Sequence, residues 1–113
     1  MPKKTLDPLP SAAFQILLAL AGGDLHGYGI MREVESQTGG RMRLGPGTLY
    51  SSLQTLREAG AIEELESEAA GTERRRYYRL TGAGRKLVRS EAERLEELLN
   101  VARAKKVLEG NYA

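Results

Sequence analysis

LGPGTLYSSLQTLREAG, residues 44–60, decides how this chain is read. The stretch predicts one short helix with marked ends. Pro46 suits a first helical turn, where its missing N–H leaves no bond unmade. Gly60 suits the left-handed position just past a helix end. Leu49, Leu53 and Leu56 recur at i, i+4 and i+7 and share one face. At about 100° per residue, the opposite face carries Gly47, Ser51, Gln54 and Glu58, flanked by Tyr50 and Thr55. That face is small, polar and mostly uncharged, unlike the alternating Lys and Glu of an ordinary solvent-facing helix. It suits a helix that enters a groove and hydrogen-bonds to base edges and phosphates. A core helix with a merely polar outside is the plainer alternative, and the surroundings decide between them.

With 113 residues the chain has room for one domain and one modest core. A hydrophobic content of 41% is enough to fold it. Cysteine is absent, which excludes disulfides, thiol chemistry and thiolate metal sites. His26 is the single histidine, so no metal site is expected. No segment approaches the roughly 18 apolar residues of a membrane span. The apolar run Ala12 to Ala21 lacks the flanks of a signal peptide, so the expected location is the cytoplasm and no membrane partner is expected. Net charge is only +2, but its distribution is uneven. Arg74, Arg75, Arg76, Arg79, Arg85, Lys86 and Arg89 follow one another with no acid among them. Glu63, Glu64, Glu66, Glu68 and Glu73 come just before. Such separation predicts a local positive field on a nearly neutral protein.

Working outward, Met1 to Pro10 reads as an extended arm with Lys3 and Lys4. Ser11 is a candidate N-cap for a first helix, Ala12 to Ala21, ended by Gly22-Gly23. That helix is apolar nearly all round and should be central. A second helix is expected from Gly27 or Tyr28 to Thr38, with Ile30, Met31 and Val34 inward, and Gly39-Gly40 stops it. Arg41 to Leu44 is a connector with Met42 and Leu44 pointing in. After the helix described above, Ala61 to Glu66 and Arg74 to Leu80 read as two strands around the polar loop Ser67 to Glu73. Tyr78 shares a face with Leu80 and is expected in the core. Thr81 can N-cap a last helix reaching about Leu108, roughly 40 Å long at 1.5 Å per residue. Val88, Leu95 and Ala102 are seven apart, Leu98 takes a d-like place, and Glu91 interrupts the seam. A helix this long overhangs a small core, so its apolar stripe needs a partner, most simply a second copy. Folding back on the first helix is the alternative.

The predicted fold is mainly α with a small β-hairpin: a winged helix-turn-helix plus a long C-terminal dimerisation helix. Its parts are an N-terminal arm (1–10), a winged-helix DNA-binding domain (11–81) and a dimerisation helix with tail (82–113). In that plan the third helix enters the major groove and the hairpin approaches flanking phosphates or a minor groove. Catalysis is not expected. Gly45-Pro46-Gly47 and Gly27-Tyr28-Gly29 lack the third glycine and context of a dinucleotide fingerprint. Ser51 or Ser52 with one distant His makes no triad. No cofactor is expected.

The chain resembles the PadR-type bacterial transcriptional regulators over about residues 9–108. The resemblance rests on His26-Gly27-Tyr28-Gly29-Ile30, on Gly47-Thr48-Leu49-Tyr50 with Leu53 and Leu56, and on Gly60-Ala61-Ile62. Arg75-Arg76-Tyr77-Tyr78-Arg79-Leu80-Thr81 and Gly84 complete it. The single C-terminal helix is similar to that of the short subfamily. Ser51 stands where the family often has Pro, and the chain lacks Trp, so the Trp-lined drug site of some relatives has no counterpart here. The resemblance implies a homodimer that binds double-stranded DNA.

Candidate DNA contacts follow from direction and resemblance together. Tyr28 and Tyr50 are expected to reach phosphate or groove. Ser51, Gln54 and Thr55 point toward base edges, and Gln can pair with adenine in a bidentate way. Thr48 is a candidate for capping or phosphate contact, and Arg74, Arg75 and Arg76 for the hairpin's contacts. Val88, Leu95, Leu98, Leu99 and Ala102 are the candidate dimerisation residues. His26 is read as a structural or capping residue rather than a pH switch. The expectation is a homodimeric regulator, a repressor on a near-palindromic site, with a small-molecule effector in the dimer cleft as a further possibility. The rival is a winged-helix protein–protein interaction module with no DNA site of its own.

Overall fold

Ile16, Leu17 and Leu20 are almost wholly shielded from solvent, and they put the first helix, α1 (Ser11–Ala21), at the centre of the molecule. The computed structural model describes residues 9–68 and 74–109. α1 touches every other helix and the hairpin's second strand, as expected of a helix apolar nearly all round. Its N-cap is Pro10, whose carbonyl accepts from Phe14 N–H (2.9 Å). Ser11, expected as the cap, is the first helical residue instead, and no side chain caps this end. Residues 1–8 of the expected arm lie outside the described residues.

A two-residue strand, β1 (Leu25–His26), leads directly into α2 (Gly27–Gln37). His26 Nδ1 accepts from Gly29 N–H (3.0 Å) and caps α2, the structural role expected of the single histidine. Ile30 and Val34 are buried, and Met31, Met42 and Leu44 pack partly buried against the same core. The next helix, α3 (Pro46–Glu58), starts at its proline. It ends through Gly60 at φ +76°, where Ala61 N–H reaches back to the Leu56 carbonyl (2.9 Å). A side chain at that φ would be strained, which is why glycine ends the helix there.

The hairpin strands are β2 (Ile62–Glu68) and β3 (Arg74–Leu80), which pair antiparallel. The strand order is β1-β3-β2, so β3 is the middle of a three-stranded sheet rather than one arm of a free hairpin. β1 was not expected. It is only two residues long, too short for any period to show, and it exists because Leu25 and His26 pair with Tyr78 and Tyr77. β2 begins one residue later and ends two residues later than expected. Residues 69–73, most of the expected loop, lie outside the described residues. Tyr78 and Leu80 are buried. Burial pushes the Tyr78 phenol above its ordinary value; Glu64 and Tyr50 add to the rise, and Arg57 and Arg76 oppose it.

Thr81 caps α4 (Gly82–Ala104) by accepting from Gly84 N–H (3.0 Å). Its hydroxyl donates to the Gly60 carbonyl (2.6 Å) and its N–H to the Ala61 carbonyl (3.1 Å). The end of α3 and the start of α4 are thus fastened at one point. α4 spans 23 residues, about 34 Å. It ends at Ala104 and not near Leu108, because Lys106 turns left-handed (φ +64°) and Val107 N–H bonds to the Ala102 carbonyl (3.0 Å). The first turns of α4 do lie on α1, and Gly84 and Val88 are its buried residues. Beyond them the helix leaves the core.

Candidate functional site

Burying Leu49, Leu53 and Leu56 stabilises the fold by about 1.5–3 kcal/mol per side chain. All three are at most 2% exposed. That anchorage fixes the rotation of α3 and so decides which residues face out. Gly47, Thr48, Tyr50, Ser51, Gln54, Arg57 and Glu58 are exposed, and Ser52 and Thr55 are half-buried. The Thr55 hydroxyl donates to the Ser51 carbonyl (3.1 Å), so its oxygen remains an acceptor on that face. Gln54 Nε2 lies 3.4 Å from a Glu58 carboxylate oxygen, a long contact that holds the amide loosely. Thr48 is not a cap: Gly45 occupies the N-cap, with no side-chain bond.

Tyr50 and Tyr28 both lie at the start of α2. The Tyr50 hydroxyl lies over Gly27, where a Cβ would come within 2.8 Å of it. Gly27 is therefore what lets the phenol cross the end of α2. Tyr28, the next residue, is 61% exposed, with the Arg32 guanidinium 5.8 Å from its ring centroid. His26 packs edge-on to Tyr77, ring centroids 5.4 Å apart, so the capping residue is itself held by the sheet. Ser51, Gln54, Tyr50 and Tyr28 thus belong to one surface made by α3 and the start of α2.

The hairpin modifies the sequence reading of its charge. The run of acids before the loop and the run of arginines after it fall opposite one another. Glu63 pairs in register with Arg79, and Glu66 with Arg76. Cross-strand opposite charges support strands that their propensity alone would not. Arg79 is engaged further: its guanidinium donates to both Asp24 carboxylate oxygens, Nη2–Oδ2 being 3.0 Å, and lies 3.8 Å from Glu63. Its hydrogen bonds to Asp24, and the charge of that carboxylate, raise the Arg79 pKa above its already high ordinary value. Arg76 is exposed, 3.9 Å from Glu64, and the side chains of Arg74 and Arg75 lie outside the described residues. Arg85, Lys86 and Arg89 belong to α4, so the linear cluster is divided between two elements. Sequence reasoning missed Arg57, which lies in the last turn of α3 and donates to Glu64 Oε1 (2.9 Å). Its spacing of three from Gln54 was the available signal.

On α4, Val88 is 8% exposed and lies in the domain's own core. The dimerisation role expected of Val88 does not fit that burial, since its side chain is already packed within one copy. Leu95, Leu98, Leu99 and Val101 are exposed and Ala102 half-buried. Near the start of that stretch Arg94 binds Glu91 through two hydrogen bonds, and these hold the Glu91 carboxyl below the usual range. Among the described residues, no three His, Asp or Glu side chains gather to hold a metal ion. No helix among them is long and apolar enough to cross a membrane.

The model of the transcriptional regulator PadR-like family matches residues 16–90. A transcriptional regulator of Mycobacterium tuberculosis is 37% identical over 83 residues, 74% of either chain. A 37.1 kDa protein in transposon TN4556 of Streptomyces fradiae is 40% identical over 87 residues, 77% of this chain. This chain spans only 24% of that relative's length. Among solved structures, a transcriptional regulator from Clostridium thermocellum is 32% identical, with TM-score 0.69 over 81% of this chain and 89% of that one. Bacillus subtilis PadR in complex with operator DNA is 22% identical, with TM-score 0.66 over 75% of this chain and 48% of that one. At that identity the likeness is one of fold.

Proposed function

The chain belongs to the PadR-like family, a family of transcriptional regulators and not of enzymes, and on that premise we propose that it acts as a homodimeric, sequence-specific DNA-binding repressor. The observation that carries the reading is the outward face of α3: small, polar, exposed, and held in place by three buried leucines. Ser51, Gln54 and Thr55 read base edges in the major groove. Tyr50, Tyr28 and Thr48 meet phosphate, where the start of α2 also favours an anion. Arg74, Arg75 and Arg76 carry the hairpin to flanking backbone. A protein of the same fold, B. subtilis PadR, is known in complex with operator DNA, which supports DNA binding here.

Residues 11–81 form the reading domain, 82–113 the dimerising helix and tail, and 1–10 the arm. Leu95, Leu98, Leu99 and Ala102 supply the seam between two copies. The dimer sets the two α3 helices in successive major grooves about 34 Å apart on a near-palindromic operator. A small molecule lodged between the long helices would change that spacing and release DNA.

Leu98→Asp tests the dimer. A carboxylate in an apolar seam has no partner and is costly to bury. Sedimentation of the variant is expected to give a folded monomer with weakened operator binding, against a dimer for the unaltered chain. An unaltered chain that sediments as a monomer with and without DNA would remove the dimer from the account.

A further inference from the structure

Two arginines at the junction of α3 and the hairpin share a single carboxylate. Arg57 Nη1 lies 2.9 Å from Glu64 Oε1, and Arg76 Nε lies 3.9 Å from Glu64 Oε2. One guanidinium comes from the last turn of α3 and the other from β3, with Glu64 on β2 between them. The Glu64 side chain is 26% exposed, less than either partner. Glu64 pairs in register with the buried Tyr78 of β3, so the trio stands where α3, β2 and β3 meet. Half-exposed ion pairs of this kind add little to stability. A carboxylate on a surface facing phosphate also repels the ligand. Stability does not account for Glu64, and affinity argues against it.

We propose that Glu64 is a specificity-determining residue, which restrains Arg57 and Arg76 from binding phosphate indiscriminately and fixes them beside the reading helix. The inference rests on the DNA-binding reading above. Guanidinium is the side-chain group best matched to phosphate, in two parallel hydrogen bonds. Two such groups left free at the edge of α3 would grip any duplex. Held on one carboxylate, they are available only to a backbone that a correctly seated α3 brings into place and that displaces the pair. The sequence-independent part of binding stays small, and the base-reading part decides.

Glu64→Gln keeps the shape and removes the charge. Binding of the variant to a random duplex, and to a duplex selected by the unaltered chain, is measured between 0.05 and 0.2 M salt, a range over which phosphate contacts show as a salt slope of about 0.9 each. For the random duplex, tighter binding is expected, with the log–log slope steeper by about 1 to 2 for one or two freed arginines. The ratio of selected to random affinity should fall. Adding Arg57→Gln and Arg76→Gln to that variant should return the slope to its starting value or below. An unchanged random-duplex affinity and slope would overturn the inference, as would equal weakening on both duplexes, which marks a purely structural role. Glu64→Ser gives the same reading should the Gln variant fail to fold. If the unaltered chain binds no duplex, the DNA-binding reading falls first. If it discriminates and Glu64→Gln changes nothing, only the inference falls.

Discussion

Gly84→Ala is expected to destabilise the domain by about 3 kcal/mol or more, at the upper end of what forced overpacking costs. A Cβ at this position would overlap the Ala61 carbonyl oxygen, lie 2.9 Å from the Ala61 carbonyl carbon and press on Leu80 at 3.2 Å. Backbone cannot yield there as a side-chain tip can. That same carbonyl accepts from Thr81 N–H, and Thr81 caps α4 while holding Gly60 at the end of α3. Moving Ala61 therefore disturbs the helix cap and the entry to β2 together. In thermal unfolding the midpoint should drop by at least about 10 °C, since 1 kcal/mol corresponds to about 4–8 °C in a domain near this size. Gly82→Ala is the control: it lies two residues earlier in the same helix with nothing within 4 Å of a Cβ. It should melt near the parent or slightly above. A Gly84→Ala protein that melts with the parent would show that the junction is not tightly packed.

Tyr50→Ala with Gln54→Ala should cost DNA affinity and leave the fold. Both side chains are exposed, and neither belongs to the core. A good base or phosphate contact is worth about 1–3 kcal/mol. Losing two of them, at 1.4 kcal/mol per factor of ten, should weaken operator binding by at least about 30-fold. Random duplex should be affected less, because Gln54 carries sequence information and Tyr50 only position. A folded double variant with unchanged affinity and preference would show that α3 is not the reader. The phenol of Tyr50 is positioned by the absence of a side chain at Gly27 on α2.

The helices were legible in the sequence because their signals are local. Pro46, the Leu49–Leu53–Leu56 spacing and Gly60 mark both ends and the inner face of α3, and the observed bounds and burial agree. Thr81 and the apolar run of α1 were legible for the same reason. What depended on partners distant in sequence was not. β1 is a strand only because β3 runs beside it. The acids of β2 looked like a separate negative run until antiparallel register placed them against the arginines of β3. Asp24 with Arg79 is 55 residues apart in sequence, and no local pattern reports such a pair. Val88 fitted the seam by spacing, yet the distance α4 runs along α1 before leaving it is decided by tertiary packing. The end of α4 was misread because Lys106 takes a left-handed turn usually given to glycine.

Two copies of this surface are expected to read a defined DNA sequence. Selection of bound duplexes from a random pool by the purified chain, at about 0.15 M salt where surface charges are screened beyond roughly 8 Å, tests it most directly. An enriched inverted repeat is expected, with half-sites about one helical turn apart, roughly 34 Å centre to centre. An unenriched pool, or no recovered DNA, would contradict it and turn the polar face of α3 toward a protein partner instead.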